Sequence, residues 1–134
     1  MPNTFIHPEG ILPDVVHGYT SVVVSTGAKM VHCAGQVSMD ADLNIVGDNL
    51  ADQMAQCFKA LGIALAAGGA TPADVVRGRI YIVDYNADMV PTVIEQTAAF
   101  YDPGEPPPST LIGVQSLALP GLLVEIEATA VLDD

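Results

Sequence analysis

The chain has 134 residues, half of them apolar and 15% charged, and sixteen acids against four bases give a net charge of −12. This length and balance suit one folded domain over residues 1–134, long enough to bury a core, and exclude an intrinsically disordered chain. The four cations, Lys29, Lys59, Arg77 and Arg79, cannot form the basic stripe that displaces counterions from phosphates, so nucleic acid is excluded as a partner. No stretch reaches the roughly 20 apolar residues of a membrane span. The N-terminal MPNTFIHPEGILPD lacks the basic and apolar regions of a secretory signal, so a cytoplasmic protein without membrane contact is expected. Cys33 and Cys57 are expected as free, buried thiols.

The first 18 residues hold Pro2, Pro8 and Pro13 and little periodicity, which predicts a segment wrapped over the surface. Residues 19–25 (YTSVVVS) are rich in β-branched side chains and predict a strand. Gly27-Ala28-Lys29 predicts a turn, and residues 30–39 (MVHCAGQVSM) a returning strand with a bulge or close approach at Ala34-Gly35. A polar loop over 40–47 leads to Asp48 as a helix cap. Leu50, Met54, Cys57, Phe58, Leu61 and Leu65 recur at helical spacing up to Gly68-Gly69. Thr71-Pro72-Ala73-Asp74 caps a short turn before a strand over 75–84, with Val76, Ile80 and Ile82 on one face and Arg77, Arg79, Tyr81 and Val83 on the other. A second helix over 89–101 starts near Asp88, with Pro91 in its first turn and Val90, Val93, Ile94, Thr97 and Phe100 on its apolar side. Pro103 and Pro106-Pro107-Pro108 prevent further helix, and strands over 109–115 and 122–132 close the chain.

The order β-β-α-β-α-β-β predicts an α+β fold in which a mixed sheet is covered by two helices on one face. The other face, left bare on so apolar a chain, is expected to pack on copies of itself. In the last strand Glu125 and Glu127 point away from the side carrying Val124, Ile126, Ala128 and Ala130. Such acids are either solvated and ion-paired, with Arg77 and Arg79 as partners, or held in a pocket where burial tunes them for acid–base work. No G-x-S-x-G elbow accompanies the serines and the histidines His7, His17 and His32. His32 and Cys33 are neighbours on a strand and face opposite ways, and without a C-x-x-C or H-x-x-x-H pair no metal site is expected. Without a G-x-G-x-x-G or a P-loop, no nucleotide cofactor is expected.

Four landmarks together resemble the YjgF/RidA family, the reactive-intermediate or imine deaminases. Gly18-Tyr19 stands at the family's pocket tyrosine, and Gly35-Gln36 in HCAGQV at its S-G-Q strand. Val83-Asp84-Tyr85-Asn86 is similar to its V-x-D strand end, and VEIEATAV over 124–131 to its terminal I-E-I-E-A-x-A-V strand. The resemblance implies a chorismate-mutase-like fold, a homotrimer, small-molecule clefts between subunits, and hydrolysis of enamines or imines without a cofactor. It implies that Glu125 orients and activates the attacking water, and that Tyr19, Gly35 and the amides of Thr110 and Leu111 hold the substrate. In the family's P-x-R-[ST] motif an arginine grips the substrate carboxylate. Here that position is Ser109, the usual cysteine two residues on is Leu111, and the serine before Gly35 is Ala34, which places the chain in an arginine-lacking subgroup. The lost charge-assisted pair is worth about 1.5–3 kcal/mol. Arg79 shares a face with Glu125 and is a candidate replacement cation, set against an Arg79–glutamate ion pair. Two functions follow: a hydrolase or deaminase of a small enamine or imine, or a non-catalytic trimer binding a small metabolite in the same clefts.

Overall fold

The structure, a computed structural model, describes residues 3–133; Met1, Pro2 and Asp134 lie outside it. Two short strands, β1 (Asn3–Ile6) and β2 (Val22–Ser25), pair with each other in an antiparallel ribbon. β3 (Lys29–Val37), β4 (Val75–Val83), β5 (Ser109–Val114) and β6 (Val124–Leu132) form a second, mixed sheet in the order β3-β6-β4-β5. β6 runs antiparallel to both of its neighbours, and β5 runs parallel to β4. The parallel pair needs a crossover, which α2 (Val90–Tyr101) supplies, while α1 (Leu50–Ala67) links β3 to β4.

Burial follows the alternation of β6. Val124, Ile126, Ala128 and Ala130 are buried, whereas Glu125, Glu127 and Thr129 are partly exposed on the other side. Against the apolar side α1 lays Met54, Cys57, Phe58, Leu61 and Leu65, all buried, and α2 adds Val93, Thr97 and Tyr101. Phe58 of α1 stacks on Phe100 of α2 at 4.7 Å between ring centres and meets Tyr101 edge-on at 6.2 Å, locking the helices together. Burial pushes the Cys57 thiol up to about 12, so this cysteine packs as an apolar group. Cys33 is half-buried, and both thiols are free.

The cap of α1 is Asn49 rather than Asp48: its side chain accepts from the Asp52 amide at 2.9 Å. Near the expected start at Asp88, Asn86 caps the single turn Ala87–Met89 that precedes α2. In β4 the register shifts between Val75 and Arg77, so Val75, not Val76, takes the buried place beside Ala130. Glycine marks the bulge in β3 correctly, because the register shifts between Cys33 and Gln36.

The largest departure is at the N-terminus. Asn3–Ile6 is a strand, and β2 pairs with it instead of folding back on β3. Gly27-Ala28 is therefore a crossing between sheets, where the Ala28 amide donates to the Leu132 carbonyl at 2.9 Å. A side chain at Gly27 would sit 2.6 Å from Val131 Cγ1, so only glycine lets the chain pass there.

Leu61, with no exposed surface, reports on the packing of α1 against the sheet. Leu61→Ala is expected to lower unfolding free energy by about 2–5 kcal/mol in urea titrations.

Candidate functional site

The open face of the sheet carries a polar network. Tyr81 Oη donates to Glu127 Oε1 at 2.6 Å and Arg79 Nη1 to Glu127 Oε2 at 3.4 Å. The bond to Glu127 raises the Tyr81 pKa above its ordinary value. Arg77 Nη2 donates to Thr110 Oγ1 at 2.6 Å. Both arginines and Thr110 thus lie on this face, and the acid paired with Arg79 is Glu127.

Glu125 is placed differently. It pairs across β6 with Val37 and Tyr81, and its side chain lies over the β3 bulge. A Cβ at Gly35 would come within 2.7 Å of Glu125 Cδ and closer still to Oε2. Absence of a side chain at 35 is thus what lets the carboxylate fold down onto the bulge. Gly35 and Glu125 are brought together, beside the β3 edge.

Tyr19, Ser109 and Leu111 meet on the opposite face. Ser109 and Leu111 alternate with Thr110 along β5 and lie beside Gly78 and Ile80 of β4, on the side covered by α2. With Leu12, His17, Gly18, Tyr19, Ile80, Val90, Val93 and Thr97 they line a cavity of about 250 Å³. Neither Glu125, Gly35 nor Arg79 reaches it within one chain. His17 and Thr97 were not singled out as site residues from sequence. The signal for His17 was its place beside Gly18-Tyr19; Thr97 read only as part of a buried helix face.

One wall of this cavity is a strap, residues 12–19, whose shape Asp14 sets. The buried Asp14 carboxylate accepts from the Val15 and Ser21 amides, each at 2.7 Å, and Gly18 turns the strap at φ 88°. The Thr20 amide donates to the Pro107 carbonyl at 3.2 Å, tying the strap to the entry of β5. His7 bridges outward, with Nδ1 3.0 Å from Asp14 Oδ2 and Nε2 2.8 Å from Glu105 Oε2. Burial alone would raise the Asp14 pKa, but the Ser21 amide, His7 and the Val15 amide together hold it well below the usual carboxylate range. The hydrogen bond to Asp14, and then Glu105, raise the pKa of His7. Among the described residues no group of three or more His, Cys, Asp or Glu could hold a metal ion.

Comparison with known proteins bears on the family and the fold. The family model described as Endoribonuclease L-PSP matches residues 11–132. Among solved structures, YyfB of the conserved Rid protein family, from Yersinia pestis, is 41% identical, with a TM-score of 0.95 over 98% of this chain and 100% of that one. A member of the YjgF/YER057c/UK114 family from Mycobacterium tuberculosis is 33% identical, with a TM-score of 0.66 over 97% of this chain and 99% of that one. No curated protein matches. The chain belongs to the Endoribonuclease L-PSP family, the YjgF/RidA proteins. Its fold is the one those relatives share, two helices on a mixed sheet.

The His7 bridge makes a prediction with a definite sign. Its pKa is raised on folding, so its contribution is complete below the ordinary histidine value and is lost as pH rises through the folded one. Thermal unfolding followed over a pH series is expected to show that loss in the wild type and a flatter profile in His7→Gln.

Proposed function

We propose that this chain hydrolyses a small enamine or imine, at a site completed between copies of itself. The observation that carries this reading is the division of the family's pocket residues. Gly35 and Glu125 lie by the β3 edge on the open face, and Tyr19, Ser109 and Leu111 lie by the β5 edge under α2. Within a chain the two halves lie on opposite faces of the sheet, and a second copy bringing its β3 side to this copy's β5 edge would join them. Among the described residues neither edge strand of this sheet pairs outward, and a head-to-tail contact of that kind forms a ring when its rotation closes. A homotrimer, as in the family resemblance, satisfies it. Exposed Met30 and the half-buried Ile112 on the open face would then be covered along with the Arg79–Glu127 pair.

In the joined site Glu125 takes a proton from water as the water oxygen adds to the C=N carbon, and the nitrogen is protonated. Collapse of the resulting aminoalcohol breaks the C–N bond and releases ammonia and a carbonyl product. All atoms come from substrate and water, so the reaction calls for no cofactor. Endoribonuclease activity, which the family description names, fits poorly with a net charge of −12. The other reading is a non-catalytic trimer that binds a small metabolite in the same clefts, favoured by the absence of any carboxylate in the cavity lining.

Ammonia release from freshly generated imines separates the two. Glu125→Gln is expected to lower the rate by about 10²–10⁴-fold while thermal stability and the trimer mass in sedimentation stay as in the wild type. No release from any imine by the wild type, with ligands still raising its melting temperature, would establish the binder instead.

A further inference from the structure

We infer that the cavity under α2 selects an uncharged, largely apolar small molecule and holds its polar atom by hydroxyl hydrogen bonds in place of an ion pair. This rests on the proposed function only in setting the reacting carbon at the cavity mouth; selection itself is a property of the walls.

Those walls are mainly aliphatic, built from Leu12, Ile80, Val90, Val93 and Leu111. No lysine or arginine lines them. Arg77 and Arg79 are on the other face of the sheet, bound to Thr110 and Glu127. Lys59 borders a separate groove between α1 and α2, with Phe58, Gln96 and Phe100. Lys29 opens β3 beside Leu132, at the other end of that strand from Gly35 and Glu125. A carboxylate entering this cavity would lose its hydration against apolar walls with no cation to replace it, within a chain whose field already repels anions.

Two features favour a neutral polar atom. Thr97 lines the cavity and is 3% exposed, and its Oγ1 has no hydrogen-bond partner. Thr20 is the other described residue with a buried, unpartnered hydroxyl, and it does not line the cavity. A buried hydroxyl without a partner gains from any ligand that supplies one. His17 and Tyr19 are the only ionisable side chains in the lining, and His17 Nδ1 donates to the Pro13 carbonyl at 2.6 Å. At about 250 Å³ the cavity is smaller than the roughly 300–1,000 Å³ of drug-sized sites. The ligand class is therefore a small aliphatic ketone or aldehyde and the neutral imine derived from it.

A matched pair of probes tests this: methyl isopropyl ketone, and α-ketoisovalerate, in which a carboxylate replaces the methyl. Binding is measured by ligand-observed NMR at about pH 8, above the ordinary histidine range, so that an imidazolium cannot stand in for the missing cation. The ketone is expected to bind at least about tenfold more tightly than the keto acid. Thr97→Val is expected to weaken the ketone by about two- to tenfold, and Ser109→Arg to turn the preference toward the keto acid. Leu111→Phe, at a partly exposed wall position, is expected to abolish ketone binding by filling the cavity, which keeps the test sound if Thr97→Val does not fold. Equal or tighter binding of the keto acid by the wild type overturns the inference, as does failure of both probes to bind. Because no turnover is measured, ketone binding without ammonia release from any imine sinks the hydrolase and leaves the selectivity standing. Faster release from imino acids than from neutral imines does the reverse.

Discussion

Everything in this molecule is keyed to the register of β6. The strand pairs with β3 on one side and β4 on the other, and its residues alternate between helix-facing apolar groups and outward polar ones. A slip of one residue would drive Glu125 and Glu127 under α1 and turn Val124 and Ile126 outward. Two charges would then face Met54 and Leu61 without partners, a cost of several kcal/mol each. Small side chains at Ala128 and Ala130 complete the apolar side. The bulges in β3 and β4 absorb mismatch on either flank without disturbing β6 itself.

That register also fixes which chemistry each face can hold. Odd-numbered positions give a polar surface where Glu127 accepts from both Tyr81 and Arg79, so one acid organises a phenol and a guanidinium. Glu125, two residues earlier, meets a glycine instead and has room to bend. Identical side chains in one strand thereby acquire different work, decided by what stands across the ladder. On the helix face β5 presents Ser109 and Leu111 to a cavity, and Thr110 between them belongs to the other side.

Much of this was legible in the chain because it depends on period alone. Alternation placed Glu125 and Glu127 together and opposed them to Val124 and Ile126; helical spacing picked out the buried face of α1; Gly35 marked its bulge. What period cannot supply is register between strands. The pairing of Arg79 with Glu127 needs β4 and β6 aligned, and at the β4 bulge two adjacent valines, Val75 and Val76, give no sign of which one takes the buried place. His7 and Glu105 are 98 residues apart, so their contact has no local signal at all. β1 was missed because four residues bounded by prolines are too few to show alternation. β2 was misdirected because a glycine turn between two strands looks like a hairpin whether the chain folds back or crosses over. Family landmarks picked out Tyr19, Gly35, Ser109 and Glu125, yet only the fold shows that they divide between the two faces of the sheet.

The strap over residues 12–19 ties the cavity to an exposed segment of the chain. Its Leu12 and Val16 are 61% and 69% exposed, and hydrogen bonds to the Asp14 carboxylate and from Thr20 to Pro107 fasten it. A segment of that kind opens by local fluctuation well before the sheet unfolds. A molecule that entered past the strap would share its path with that breathing, and the rate of opening would set a ceiling on how fast it could leave. Subunit contacts that cover those side chains would slow that opening without touching the cavity floor, so residence time and assembly state would rise and fall together.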